Sequence, residues 1–239
     1  MSPNTNLFMK SKGLVSFVIP TYNRLGMLKK RIDEIRQQIY TDCEIIVVDD
    51  CSTDGTWEWL ESQDVIKIRL GENSHSVSIP RGIGITHSHG EFIAPTDDDV
   101  VVLPDKAKWL VEAIERDDAV LAYGNRRESV NGQERPTPSL LKDWNPLLPE
   151  GWGVDNGQFI YRSNVYDKVP IRFPKRACDW ELAKQIKALG RFVWIESPVC
   201  IYNIHSENRS ARDSTKTADI YPEKFLKYFR EGYIIDTSQ

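Results

Sequence analysis

The 239-residue chain is short of several things that would mark a specialised class. Its four cysteines, Cys43, Cys51, Cys178 and Cys200, are scattered and form no C-x-x-C pair. That spacing suits neither a zinc site nor a disulfide scaffold, and it fits reduced thiols in a cytosolic protein. Long apolar runs are missing too: none approaches the ~18–20 residues that span a bilayer. The opening MSPNTNLFMKSKG is polar and has no apolar signal core. The expectation is therefore a cytoplasmic protein without a transmembrane segment, with peripheral contact to a membrane surface left open. A strong charge of one sign is also lacking. The net charge of −4 gives no global basic field to draw the chain onto nucleic acid or anionic lipid. An anionic ligand would have to be held by a few local cations, a helix N-terminus or a metal. There are no internal repeats and no low-complexity tract.

What is present is an ordinary globular composition, 40% hydrophobic and 28% charged. The length suits a single large domain covering 1–239. Apolar runs at 14–20, 43–50, 65–70, 91–95 and 119–124 read as strands. They are continuous rather than alternating, as parallel strands buried on both faces are. Between them lie helical patterns. Leu25, Leu28, Ile32, Ile35 and Ile39 recur at three- and four-residue spacing. Residues 52–63 open with Ser52, Thr53 and Asp54, all good N-cap types. Residues 78–90 read as a short helix closed by Gly90, and 104–117 as a helix with Pro104 near its first turn. The fold class is α/β: a doubly wound, mainly parallel sheet with helices on both faces. Residues 14–124 form a mononucleotide-binding half. Residues 125–211 form a less regular half in which 125–157 has little period. Strands are expected at 158–162, 191–196 and 198–205, a helix over 179–190 stopped by Gly190, and a helical tail within 212–239, at 222–232.

Open α/β sheets bind ligands beyond the carboxyl ends of their strands. Three polar clusters fall at such ends: PTYNR at 20–24, DDCSTDGT at 49–56 and TDDDV at 96–100. Each has a plain structural reading as a turn, a cap or a solvated loop; three on one rim are harder to dismiss together. In extended backbone Asp97 and Asp99 would share a face and Asp98 would point away. Such a pair offers hard oxygen ligands suited to Mg²⁺, Mn²⁺ or Ca²⁺. A divalent cation would cancel the repulsion and carry a phosphate ligand. His87 and His89 are two apart and do not share a helix face, so they read as surface histidines.

The blocks VSFVIPTYNR, EIIVVDDCSTDGT, PRGIGITHSHGEFIAPTDDDVVVLPDK and CDWELAKQIKALGRFVWIESPVCIYNIHSENRSA occur in that order. Over roughly 14–211 this resembles the family 2 glycosyltransferases of GT-A fold. The resemblance implies inverting transfer of one sugar from a nucleotide-diphospho-sugar, of UDP type, to a hydroxyl of a glycan or lipid-linked acceptor, with Mn²⁺ or Mg²⁺. Polysaccharide or glycan assembly is the implied setting. It implies that Pro20, Thr21, Tyr22, Arg24 and Asp50 hold the nucleotide and that Arg81 approaches the diphosphate. Asp97 and Asp99 match the ends of a D-x-D metal motif, and Asp98 its variable middle, near the ribose. Asp179 falls at the general-base position, and His205 at a histidine near the diphosphate and metal. Trp152, Asp155 and Trp180 are the acceptor-side candidates. Taken alone, Asp179 reads first as the N-cap of its helix, while His205 serves equally as a surface histidine and the tryptophans as core. The sequence departs from the family pattern at Ser74, His75 and Ser76, at Gly82 and at Val100. The Q-x-x-R-W signature of processive synthases is absent. The rival readings are a nucleotide-sugar binder without turnover and a sugar nucleotidyltransferase.

Overall fold

The computed structural model describes residues 10–130, 132–136, 142, 146–147, 154–168, 178–204 and 234–236. Trp152, His205 and the expected tail helix at 222–232 lie outside the described residues.

The chain opens with β1 (Ser11–Thr21), α1 (Leu25–Arg36), β2 (Cys43–Asp49), α2 (Thr56–Leu60), β3 (Ile66–Arg69), α3 (Ser78–Thr86) and β4 (Gly90–Pro95). The four strands are parallel, in the order β3-β2-β1-β4. Growth from β1 runs outward to β3, and β4 then returns to the other side of β1. The strand order therefore reverses between β1 and β4, the switch point where open sheets leave a crevice at their carboxyl ends. β5 (Val100–Val102), α4 (Lys106–Asp117), β6 (Leu121–Val130) and β7 (Gln133–Pro136) follow. Next come β8 (Phe159–Arg162), the one-turn helix α5 (Val165–Lys168), α6 (Cys178–Lys187), β9 (Phe192–Ile204) and β10 (Ile234–Asp236). They extend one sheet, with β8 antiparallel between β4 and β6, β9 parallel to β6, and β10 antiparallel on β3.

The two cores follow from side-chain alternation along the strands. Val15, Phe17 and Ile19 of β1 pack on one face with Leu28, Ile32 and Ile35 of α1 and Leu110, Val111 and Ile114 of α4. Val18 faces the other way, against Ile79 and Ile83 of α3 and Leu182 and Ile186 of α6. Both faces are thus covered by helices, as continuous apolar strands require.

Several local expectations are revised. Gly90 does not close α3, whose C-cap is His87; it is the first residue of β4. A side chain there would lie 2.6 Å from both the Leu14 carbonyl and Ser16 Oγ. Ser52 and Thr53 do not cap α2, because Gly55, with φ 87°, stands at that position. The two strands expected at 191–196 and 198–205 are one, β9. It absorbs Pro198 through register shifts opposite Gly124 and Asn125. The start of the irregular stretch, from Asn125, belongs to β6, which pairs with β7 as a hairpin.

α3 lies close on the sheet because Gly84 has no side chain: a Cβ would sit 2.5 Å from Val18 Cγ1 and 3.1 Å from Val48 Cγ2. Gly84→Ala should lift α3 and cost about 1–3 kcal/mol by overpacking, measured by urea unfolding. An unchanged midpoint would show that the helix has slack.

Candidate active site

The loops after β1 and β2 are stitched together at the switch point. Asn23 takes a left-handed turn, with φ 51°. Its N–H donates to Ser52 Oγ (2.8 Å), and its Oδ1 accepts from the Thr53 N–H (2.7 Å). Asp54 accepts from the Leu25 N–H at 3.0 Å, which anchors the start of α1. Pro20 and Thr21 are buried, whereas Tyr22 is 39% exposed over the rim. Asp50 is buried with its carboxylate turned to the loop after β3. It accepts from the Ser74 N–H at 2.8 Å and from Ser74 Oγ at 2.9 Å. Ser74 is thus a partner of Asp50, the acid that the resemblance places against the nucleotide.

The acidic triplet departs from the expected geometry. Residues 97–99 form a turn, closed by the Val100 N–H to the Asp97 carbonyl (3.4 Å), so strand alternation does not apply. Asp98 and Asp99 share one cation: Arg24 Nη1 reaches Asp98 Oδ1 at 2.8 Å and Asp99 Oδ2 at 3.1 Å. Thr21 Oγ1 also donates to Asp98, at 3.0 Å. Asp97 turns to the fully buried guanidinium of Arg81 on α3. Asp98 is the interior acid, its side chain 5% exposed against 29% for Asp97 and 15% for Asp99. Burial pushes its carboxyl up to about 6, against the pull of Arg24 and Thr21. Its surroundings are those of a positioning group rather than a ligand-facing one.

Two further cations stand behind the rim. Arg31 of α1 is buried and paired with Glu34. Burial lowers its guanidinium to about 10, opposed by the charges of Asp98, Asp99 and Asp97. Lys106, at the start of α4, is fully buried. Its ammonium lies 5.9 Å over the Phe17 ring and has no hydrogen-bond partner among the described residues. Burial lowers it to about 8, opposed by Cys200, Asp155 and Asp97. Both had a sequence signal: Arg31 keeps helical spacing with Leu28 and Ile35, as Lys106 does with Leu110 and Ile114.

The second half closes the cleft. Asp155 caps the 3-10 turn Asn156–Gln158 through the Gly157 N–H (3.0 Å) and pairs with Arg126 of β6 at 2.8 Å. Arg126 in turn lies 5.0 Å over the ring of Tyr202 on β9. Asp179 lies one residue inside α6 and so is not its N-cap; its carboxylate accepts from the Trp180 N–H at 2.9 Å. Desolvation raises Asp179 to about 6; Asp155 and Asp97 add to the rise, while the Trp180 N–H and Arg81 oppose it. The charges of Asp155, Asp97 and Arg81 thus all reach the Asp179 carboxyl. Trp180 is half-buried beneath Lys184, whose Nζ lies 4.5 Å from the ring centre. His87 and His89 do not converge. His89 Nδ1 lies 2.9 Å from Glu44, just before β4 begins and so at the amino ends of the strands, away from the cleft.

Among the described residues no group of three or more His, Cys, Asp or Glu could hold a metal by itself. Asp97 and Asp99 still fit a Mg²⁺- or Mn²⁺-type ion. Their oxygens are hard donors, both side chains reach solvent, and such ions take much of their shell from water and phosphate.

The description "Glycosyl transferase family 2" matches residues 16–176. The chain belongs to glycosyl transferase family 2. Over 253 aligned residues it is 25% identical to an uncharacterised glycosyltransferase of Haemophilus influenzae, covering 95% of this chain and 78% of that one. The structure of Staphylococcus aureus TarS 1-349 in complex with UDP-GlcNAc superposes with a TM-score of 0.72 at 22% identity, over 91% of this chain and 64% of TarS 1-349. The mannosyltransferase PcManGT of Pyrobaculum calidifontis, in complex with GDP-Man and Mn²⁺, gives 0.62 at 17%, over 85% of this chain and 65% of PcManGT. At these identities the solved structures carry the fold, the GT-A arrangement expected from the sequence. This glycosyltransferase spans somewhat under two thirds of both solved chains.

Lys106 yields a stability prediction for the glycosyltransferase. Its folded pKa of about 8 lies below the ordinary 10.5, so unfolding takes up a proton between those values and the fold carries the full penalty below about 8. The penalty fades as pH rises from about 8 to 10.5. Lys106→Met should therefore add on the order of 1–4 kcal/mol of stability at pH 7, read as a higher melting temperature, and abolish that alkaline gain. A lower melting temperature would mean that the ammonium has a structural partner.

Proposed function

We propose that this glycosyltransferase moves a single sugar, with inversion, from a UDP-type sugar nucleotide to a hydroxyl of a glycan or lipid-linked acceptor, aided by Mn²⁺ or Mg²⁺. The observation that carries the reading is the pairing of Asp97 with Arg81 beside the switch point, with the charges of both, and that of Asp155, felt by the Asp179 carboxyl. The fold shared with TarS bound to UDP-GlcNAc supports the donor class. The PcManGT complex with GDP-Man and Mn²⁺ supports the cofactor class and keeps guanine open as a base. Among the described residues no helix is long and apolar enough to cross a membrane. We place the reaction on the cytoplasmic side, where peripheral contact would serve a lipid-linked acceptor.

Tyr22 offers an exposed ring to the base, beside the loop that Asp50 and Ser74 organise. Arg81 is buried and oriented, so it can meet negative charge developing on the leaving diphosphate without reorganising. Asp97 and Asp99 would hold a divalent ion, which would supply Lewis-acid stabilisation of the same charge. Asp179 takes the proton of the acceptor hydroxyl while that oxygen attacks the anomeric carbon from the face opposite the departing diphosphate. The C–O bond to the nucleoside diphosphate breaks, and the new glycosidic C–O bond forms. The raised pKa of Asp179 makes it a stronger base than a solvated aspartate, yet leaves it ionised at neutral pH.

Asp179→Asn should keep nucleotide binding and lose about 10²–10⁴ in turnover, read as release of nucleoside diphosphate in the presence of acceptor. The wild-type rate should fall as pH drops below about 6, where Asp179 takes up a proton. Full activity of Asp179→Asn would remove this residue from the base role.

A further inference from the structure

Arg24 occupies Asp99, one of the two carboxylates that the proposed cation needs, and holds Asp98 beside it. A single nitrogen, Nη1, bridges Asp98 Oδ1 at 2.8 Å and Asp99 Oδ2 at 3.1 Å. The two bonds are not equivalent. Asp98 is interior and is also fixed by Thr21 Oγ1, whereas Asp99 stands more open at the rim. Arg24 itself is 28% exposed and sits directly before α1, with its backbone in neither the helical nor the strand region (φ −140°, ψ 40°). Its guanidinium thus has a deep anchor on Asp98 and a shallow hold on Asp99. A dication and a guanidinium on one carboxylate repel each other, most strongly where water is scarce. The second end acid gives the cation no easier entry, since Asp97 is already held by Arg81.

We infer that Arg24 is the residue that makes cation uptake depend on the sugar nucleotide. In the free protein its guanidinium acts as an internal counter-ion on Asp99 and keeps divalent cations out. An arriving diphosphate offers the guanidinium a second acceptor. Arg24 then pivots on Asp98, releases Asp99 and joins the donor, and the cation enters with the diphosphate as a co-ligand. Donor and cation are thereby taken up together, and the acids stay neutralised in both states. This rests on the sugar-nucleotide reading given above.

The test uses Mn²⁺ alone as the probe, with free Mn²⁺ followed by electron paramagnetic resonance on the full chain near neutral pH. Arg24→Met should bind Mn²⁺ roughly tenfold or more tightly than wild type, because the repelling charge is gone. Asp99→Asn in the Arg24→Met background should abolish that gain. Added UDP should tighten Mn²⁺ binding more in wild type than in Arg24→Met. Equal or weaker Mn²⁺ binding by Arg24→Met, or no binding by either protein, overturns the inference. Should Arg24→Met fail to fold by circular dichroism, Arg24→Lys, too short to hold both acids, is read by the same Mn²⁺ criterion. Failure of the glycosyltransferase reading has a separate signature: wild type would release no nucleoside diphosphate from any sugar nucleotide, whatever the Mn²⁺ affinities.

Discussion

Three consecutive carboxylates at the carboxyl rim of a buried sheet are tolerable only where cations come to meet them, and here the cations are guanidinium groups. Arg24 reaches Asp98 and Asp99, Arg81 reaches Asp97, and the charge of Arg31 acts from behind. These groups come from the loop after β1, from α3 and from α1. The triplet itself follows β4, on the other side of β1 from β2 and β3. The charge balance therefore exists only once the parallel sheet has assembled with its strand order reversed beside β1. Fold and site are joined at that point: close packing of α3 over Gly84 places Arg81, and stitching of the β1 and β2 loops through Asn23 places Arg24.

The arrangement also separates tasks among chemically identical side chains. Asp98 is enclosed and fixes Arg24. Asp97 and Asp99 keep more of their side chains open to solvent, each paired with an arginine that the proposed donor and cation would have to displace or share. Asp155 is tied to Arg126 and contributes chiefly its field. Asp179 accepts from the Trp180 N–H, and burial raises its carboxyl to about 6, which suits the proposed base role. Environment decides the role in each case, through burial and through which donor lies nearest.

Much of the fold was legible because continuous apolar runs between amphipathic helices admit few arrangements other than a parallel sheet covered on both faces. Membership of glycosyl transferase family 2 and the rim location of the polar clusters followed from the same blocks of sequence. The finer geometry was not legible, for physical reasons. Strand alternation was applied to Asp97–Asp99, but the backbone turns there, so Asp98 and Asp99 share a partner. Gly90 resembled a helix stop, yet its lack of a side chain serves the close approach of β4 to Leu14 and Ser16. β9 was divided at Pro198 because a register shift that accommodates proline leaves no local mark. Arg31 and Lys106 sit on apolar helix stripes, where a charged residue is easily read as surface, and their burial follows only from that spacing.

The central claim is that the rim between β1 and β4 holds a diphosphate and a divalent cation against these acids. The most direct measurement is anomalous diffraction at the manganese edge from crystals grown with Mn²⁺ and UDP. The account predicts one anomalous peak beside Asp97 and Asp99, bridged to the diphosphate, with the uracil next to Tyr22. A nucleotide bound elsewhere, or a peak away from both carboxylates while Arg24 still bridges Asp98 and Asp99, would contradict it.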